Sequence, residues 1–183
     1  MTRLLDAQQS VLMVVDIQER FVPVIYECDR VIKNSSSLIQ ACKILDIPVV
    51  FTEQYPQGLG HTLPQLLAEK PDDAVVLEKT TFGCLGNEAI RQYLAKLGRK
   101  QVVLCGIEAQ VCLNQTNAQL LDAGYTVSLC QDAVSSRTVE NYRIGLAKMT
   151  QQGAIPACVE SILFEWLADA RHPAFKALLG LVK

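Results

Sequence analysis

Short apolar segments that alternate with amphipathic ones constrain the fold of this chain more than any other feature. The apolar segments cover residues 11–16, 47–53, 73–79, 101–106, 125–132 and 154–159. Segments that are apolar throughout are typical of strands buried on both faces of a parallel sheet. Helical spacing marks the segments 30–46, 87–98, 111–124 and 138–153. The alternation predicts an α/β fold, a doubly wound, six-stranded parallel sheet in three α/β/α layers.

The length and composition of the chain predict a single domain over residues 1–183. Half of the residues are apolar and a fifth are charged, as in an ordinary folded protein with a substantial core. No repeat or long linker divides the sequence. The Gly- and Pro-rich segment 54–62 is expected to be a loop, and serines 35–37 are expected to form a solvated turn of a helix.

The charge pattern argues against nucleic acid and membrane as partners. The net charge is −2, and no Lys/Arg stripe stands out along the sequence. The polar N-terminus lacks the apolar core of a secretory signal, and no apolar run is long enough to span a bilayer. We therefore expect a cytoplasmic protein.

The seven cysteines do not form a pattern typical of disulfides or structural zinc. Their number is odd, and no C-x-x-C is present. Cys42, Cys105 and Cys130 stand in apolar runs, where a cysteine usually acts as a small buried hydrophobe. The only histidines are His61 and His172, and neither lies in a context that indicates a Cys-His or Ser-His hydrolase.

Reactive side chains stand at the ends of several predicted strands. Asp16 and Lys79 each end a strand, and Cys112 follows another after a six-residue turn and opens a helix. Glu53 and Asp132 end two further strands. In open α/β sheets the ligand lies beyond the carboxyl ends of the strands, so we expect Asp16, Lys79 and Cys112 to converge. Taken singly, each also fits a turn residue, a surface lysine or a packed thiol.

These three residue types support nucleophilic chemistry without a histidine. A thiolate attacks carbonyl carbon, and a carboxylate such as Asp16 can accept the thiol proton and return it to the leaving group. A helix N-terminus and the Lys79 ammonium both favour the thiolate, so we expect a depressed pKa for Cys112. Backbone N–H groups before Cys112 would receive the oxyanion.

Four stretches in the expected order resemble the isochorismatase-like cysteine hydrolases, a superfamily that includes nicotinamidases and N-carbamoyl amidohydrolases. They are VLMVVDIQERF (11–21), VVLEKTTFGC (75–84), VLCGIEAQVCLNQTNAQLLDAGY (103–125) and DAVSSR (132–137). The resemblance implies that Cys112 is the nucleophile, Asp16 the proton shuttle and Lys79 the stabiliser of both. It also implies a small-molecule substrate and a homo-oligomer.

The resemblance implies a cis peptide bond between Ile107 and Glu108. The backbone N–H groups of Glu108 and Cys112 would then form the oxyanion hole. Gln18, Phe21 and Tyr55 are the candidate substrate-binding residues, although the two aromatic side chains fit ordinary core or loop positions equally well.

Departures from the family pattern limit which reactions and which metal sites we expect for this chain. Nicotinamidases bind a metal through an Asp and several His after the second strand, whereas the segment TEQYPQGLGHT (52–62) offers one His and one Glu. We therefore expect no metal, no cofactor and an exposed His61, and nicotinamide becomes a less suitable substrate. The presence of Cys112 favours amide or carbamoyl hydrolysis over vinyl ether cleavage.

Two alternatives to this enzyme remain open. One is an oligomeric binding or scaffold protein that keeps the fold without activity. The other is a redox-sensing thiol protein, which needs a second cysteine near Cys112, and Cys105 is expected to point away from it. The apolar segments 161–167 and 175–183 fit self-association and completion of the monomer core equally well.

Overall fold

A computed structural model describes residues 4–183, and it contains one parallel six-stranded sheet. The strands are β1 (Ser10–Val15), β2 (Val49–Gln54), β3 (Val75–Lys79), β4 (Gln101–Ile107), β5 (Thr126–Ser135) and β6 (Ile155–Ala157). Their order across the sheet is β3-β2-β1-β4-β5-β6, and every neighbouring pair is parallel. This order confirms the predicted doubly wound fold, with its switch point between β1 and β4.

Helices cover both faces of the sheet. They are α1 (Cys28–Ile44), α2 (Pro56–Leu59), α3 (Pro64–Glu69), α4 (Glu88–Leu97), α5 (Asn114–Asp122), α6 (Val139–Gln152), α7 (Val159–Leu167) and α8 (Phe175–Leu179). Sequence analysis missed α2 and α3, which each begin with a proline at the first helical position. Among the described residues, no helix is both long and apolar enough to cross a membrane.

The core consists of two apolar layers, one on each face of the sheet. In β1, Leu12 and Val14 face the layer under α1, α7 and α8, whereas Val11, Met13 and Val15 face the layer under α4, α5 and α6. All six residues of β1 are buried. A central strand buried on both faces explains why the sequence shows an uninterrupted apolar run here and no alternation.

The serines of α1 are a correction to the sequence analysis. Ser35 and Ser37 are buried, so the expected solvated turn is wrong. The Ser37 hydroxyl donates to the Leu181 carbonyl at 3.1 Å, and the Ser35 hydroxyl lies 3.8 Å from the Cys105 sulfur. Small side chains let this helix pack closely, and their hydroxyls find partners inside the protein.

The two C-terminal apolar segments complete the monomer core. Ile162, Leu163 and Trp166 of α7 are buried in the layer that faces α1, and so is Leu178 of α8. The Trp166 indole N–H donates to the Ser10 hydroxyl at 2.9 Å, which ties α7 to the start of β1. These segments therefore need no second copy to explain their apolar character.

Close contact between β1 and β4 brings the ends of these strands together. Gly106 pairs with Val15 and has a φ of +122°, in a region that favours glycine. A Cβ atom at Gly106 would lie 2.1 Å from the Val15 carbonyl oxygen, so no other residue fits this position. The contact places Asp16, which follows Val15, beside the turn that carries Cys112.

Candidate functional site

A buried ion pair links the ends of β1 and β3. The Lys79 ammonium lies 2.7 Å from Oδ2 of Asp16, and the exposed fractions of the two side chains are 0% and 1%. Lys79 Nζ also donates to Oε1 of Gln54 at 2.8 Å and to the Phe82 carbonyl at 3.2 Å. Burial alone would lower the pKa of Lys79, but the Asp16 carboxylate raises it above its ordinary value. Lys79 is therefore an ammonium with an acceptor for each of its three hydrogens.

Both oxygens of the Asp16 carboxyl group accept hydrogen bonds, Oδ2 from Lys79 and Oδ1 from Thr52. The Thr52 hydroxyl donates to Oδ1 at 2.7 Å, and the Asp16 backbone N–H donates to the Thr52 carbonyl at 3.1 Å. Asp16 has a φ of +56°, in the left-handed region that few residues other than glycine adopt. Burial raises the pKa of Asp16, although Lys79 and Thr52 oppose the shift. A carboxylate in this state is a stronger proton acceptor than one in water.

Cys112 lies on a π-helical turn, Ala109–Leu113, between β4 and α5. Its exposed fraction is 4%, and its thiol interacts with the Asp16 carboxyl group. Burial and the Asp16 charge raise the pKa of Cys112 above its ordinary value of 9.0, although Lys79 opposes the shift. The expected depressed pKa is thus wrong for the resting site, because desolvation and the nearby carboxylate outweigh the ammonium and the helix N-terminus.

The backbone before Cys112 includes an N–H group without a partner in the part of the chain that the structure describes. The peptide bond between Ile107 and Glu108 is cis. Within residues 4–183, the Glu108 N–H has no hydrogen-bond partner, whereas the Glu108 carbonyl accepts from the N–H groups of Val111 and Leu113. The Glu108 side chain pairs with Arg137 at 2.8 Å.

Helix α6 supports the turn that carries Cys112. A Cβ atom at Gly145 would lie 2.7 Å from both the carbonyl carbon and the Cβ atom of Ala109. The Ala109 N–H donates to the Ser136 hydroxyl at 3.1 Å, and this hydroxyl donates to Oε1 of Gln110 at 2.6 Å. The turn is therefore fixed by close packing on one side and by hydrogen bonds to the end of β5 on another.

Sequence analysis missed three residues of this site, namely Thr52, Gln54 and Cys84. Thr52 and Gln54 lie on β2 beside residues that the sequence analysis selected, and the pairing of β1 and β3 with β2 places them there. The buried Cys84 thiol lies 3.8 Å from the Thr52 hydroxyl, and burial raises the pKa of Cys84 to about 11. The only signal for them was their position at or after the end of a predicted strand.

The Gln18 amide is bonded to backbone groups of the protein, and its contact with a substrate stays a prediction. Its Nε2 donates to the Gln54 carbonyl at 3.0 Å and to the Gly60 carbonyl at 2.6 Å. Its Oε1 accepts from the Gln54 N–H at 2.8 Å. Both donors of this buried amide are used within the protein, so Gln18 pairs with the backbone at the end of β2 and holds the segment 54–62.

The two candidate aromatic residues occupy different environments. Phe21 is buried in the core layer under α1, which fits the alternative of an ordinary core aromatic, and its contact with a substrate stays a prediction. Tyr55 is 54% exposed and has a φ of +39°. Tyr55 lines a small surface pocket together with Lys79 and Thr80, and its contact with a substrate stays a prediction.

The remaining cysteines and His61 lie apart from the nucleophile. Cys105 belongs to the core layer on the opposite face of the sheet from Cys112, as expected. His61 is exposed on its loop, with Nδ1 3.0 Å from Oε2 of Glu53. Among the described residues, no group of three or more His, Cys, Asp or Glu side chains is arranged to hold a metal ion.

Replacing His61 with Gln is expected to lower the melting temperature most at mildly acidic pH. The Glu53 carboxylate raises the pKa of His61 above its ordinary value of 6.5. Burial alone would raise the pKa of Glu53, but the Thr62 N–H and His61 hold it below its ordinary value of 4.5. The His61 contribution is fully present below pH 6.5 and is lost as the pH rises through its raised pKa.

The Glu53 contribution has the opposite dependence. It is present above pH 4.5 and is lost as the pH falls through the lowered pKa. The difference in melting temperature between the wild type and His61→Gln should therefore be largest at about pH 5–6 and small by about pH 9. Thermal unfolding across this range measures it, and a difference that does not change with pH would contradict the pairing.

Comparison with known proteins identifies the family. A family model described as Isochorismatase domain matches residues 10–161. Isochorismatase domain-containing protein 2 of Danio rerio is 41% identical over 181 residues, which cover 97% of this chain and 89% of that protein.

Solved structures agree with this match. The structure described as MAR1 ribonuclease from Caenorhabditis elegans has a TM-score of 0.93 and 36% identity, and the match covers 98% of this chain and 92% of that chain. The YcaC gene product of Escherichia coli, described as an octameric hydrolase of unknown specificity, has a TM-score of 0.91 over 99% of this chain and 90% of that chain. At 22% sequence identity, this similarity supports the fold alone. The family model and the Danio rerio relative show that the chain belongs to the isochorismatase family.

Proposed function

We propose that this protein is a metal-independent cysteine hydrolase that cleaves a small-molecule amide or carbamoyl C–N bond. The observation that carries the proposal is the buried Lys79–Asp16 ion pair, whose two charges both act on the Cys112 thiol. The unpaired Glu108 N–H supplies a donor on the same turn. The family supports a hydrolase, and the cysteine supports covalent catalysis at a carbonyl carbon.

The proposed reaction begins with proton transfer from Cys112 to Asp16. The thiolate then forms a bond to the carbonyl carbon, and the N–H groups of Glu108 and Cys112 stabilise the oxyanion. When the C–N bond breaks, Asp16 returns the proton to the leaving nitrogen, and a thioester remains. Water adds to the thioester carbon while Asp16 accepts its proton, and cleavage of the C–S bond releases the acid and restores the thiol.

The burial of the nucleophile supports a small substrate. Cys112 is only 4% exposed, so little space is open to a group that approaches its sulfur. Lys79 has all three hydrogens engaged, which leaves it as an electrostatic partner of Asp16 and Cys112 and not as a substrate ligand.

Purified protein screened for ammonia release from small amides and ureido acids tests the proposal. Cys112→Ala is expected to abolish turnover, whereas Cys158→Ala, which removes an exposed thiol, should retain it. Turnover that survives Cys112→Ala would reject the mechanism. Because a relative is described as a ribonuclease, the screen should include RNA, and cleavage of RNA alone would reject the small-molecule substrate. If no substrate of either class turns over, the alternative of an inactive binding or scaffold protein is favoured.

We also propose that the protein forms a homo-oligomer. The description of a structural relative as octameric supports this assembly. Sedimentation should therefore give a mass that is a multiple of 20.2 kDa, and a mass of one chain would reject the proposal.

A further inference from the structure

The end of β2 carries an amide, that of Gln54, whose hydrogen-bond partners within residues 4–183 are the Lys79 ammonium and the backbone that follows Lys79. Gln54 Oε1 accepts from the Lys79 ammonium at 2.8 Å. Gln54 Nε2 donates to the Thr80 carbonyl at 2.9 Å, which fixes the amide so that its oxygen faces Lys79. Gln54 is itself buried and does not belong to the three residues of the proposed mechanism.

The backbone of Gln54 is held as firmly as its side chain. Strand β1 ends at Val15, so beyond this point β2 has lost its neighbour on that side. The Gln18 side chain takes the place of the missing strand, because its amide bonds to both the N–H and the carbonyl of Gln54. The same amide reaches Gly60, which joins the segment 54–62 to this arrangement.

We infer that Gln54 is a positioning residue that holds the Lys79 ammonium against Asp16 and Cys112, with Gln18 fixing its backbone. The inference rests on the proposed function, because it takes Lys79 to stabilise the Cys112 thiolate. Three acceptors surround Nζ, and Gln54 and the Phe82 carbonyl are the two that carry no charge. Without the Gln54 oxygen the ammonium keeps its attraction to Asp16 but loses the contact that fixes its direction.

Alkylation of Cys112 by iodoacetamide, followed by peptide mapping between about pH 7 and 10.5, tests this inference without any substrate. The charged and titratable groups that act on the Cys112 thiol are Asp16, Lys79 and Cys84. All proteins carry Cys158→Ser, which removes the exposed thiol. Gln54→Met keeps the length of the side chain and removes the amide oxygen. It should slow alkylation of Cys112 about tenfold, the change that one unit of pKa produces.

Two further proteins separate positioning from a general structural role. The matched control is Gln57→Met, at an exposed glutamine on the neighbouring helix α2, which should leave the rate unchanged. In a Lys79→Met background, Gln54→Met should have little further effect, because its action passes through Lys79. An unchanged rate in Gln54→Met, or a full additional loss in the Lys79→Met background, would overturn the inference.

A second substitution at Gln54 is needed because a buried side chain is changed and the first variant must fold to be informative. If Gln54→Met does not fold, Gln54→Leu carries the test, since it also removes the amide oxygen and should slow alkylation of Cys112 to a similar extent. If neither protein folds, Gln54 is required for folding and the positioning role is rejected. The alkylation test and the test of hydrolysis can fail separately. Turnover that survives Cys112→Ala would reject the proposed hydrolysis, but it would not change the alkylation rates measured for the Gln54 variants.

Discussion

Asp16→Asn is expected to lower the free energy of unfolding by about 3–5 kcal/mol and turnover by about 10²–10⁴-fold. The loss of stability follows from the burial of both members of the ion pair, because the variant leaves the Lys79 ammonium without its counter-ion. The loss of turnover follows because Asn cannot accept a proton from the Cys112 thiol. Chemical denaturation at pH 7 measures the first effect, and the substrate found in the screen measures the second.

A double-mutant cycle with Lys79→Met separates the two effects. Removing both charges leaves no unpaired ion, so the double variant should be more stable than the sum of the single changes predicts. Turnover should not recover in it. Asp72→Asn, at an exposed aspartate, is the control and should change stability by no more than about 0.5 kcal/mol. Additive losses in stability would show that the two charges do not depend on each other.

The fold could be predicted because its signals are local. The apolar run of β1 and the helical spacing of α4 and α6 each lie within a few residues of sequence, and their alternation determines the topology. The short helices α2 and α3 were not predicted, since each is only four to six residues long, and α2 lies in the Gly- and Pro-rich segment 54–62.

Sequence analysis could predict only those residues of the proposed site that stand at or after the end of a strand. Asp16, Lys79 and Cys112 follow strands, and the parallel sheet brings them to one edge. The roles of Gln18 and Gln54 depend on hydrogen bonds between residues 36 positions apart, for which no local pattern exists. The burial of Ser35 likewise depends on how closely α1 packs on the sheet.

The titration of Cys112 could not be predicted from residue types either. The sequence offered a helix start and a lysine, both of which favour a thiolate. The structure adds the depth of burial and shows that the Lys79 charge is already paired with Asp16. The direction of the pKa shift depends on this burial and on this pairing, and neither is visible in the sequence.

A resting thiol that reacts slowly is the second expected result. With iodoacetamide at pH 7.5, the exposed Cys158 should be alkylated at least about 100-fold faster than Cys112, because each unit by which a pKa exceeds the pH lowers the thiolate fraction about tenfold. The rate of Cys112 labelling should rise about tenfold with each unit of pH, and it should not level off at pH 9.0, because the pKa of Cys112 is raised above that ordinary value. Peptide mapping by mass spectrometry over time measures both rates.

The buried Cys84 is an internal control for access. It lies beside the same groups and is fully buried, so it should stay unlabelled in the folded protein at pH 7.5. Labelling of Cys84 would show that the protein opens during the experiment. Labelling of Cys112 as fast as Cys158 would show that the thiolate forms without substrate, and the depressed pKa expected from the sequence would then be correct.

A protonated resting thiol is consistent with the proposed catalysis because of how charge is distributed in the site. Before proton transfer the site holds the Asp16 carboxylate, the Lys79 ammonium and a neutral thiol. After transfer it holds a neutral carboxyl group, the same ammonium and a thiolate. The total charge is unchanged, so no new charge is created in a buried site, where an additional charge costs most. The Lys79 ammonium attracts the negative charge on either group, and the thiolate of a high-pKa thiol is the stronger nucleophile. Slow alkylation of the free protein and rapid turnover of a bound amide are therefore expected together.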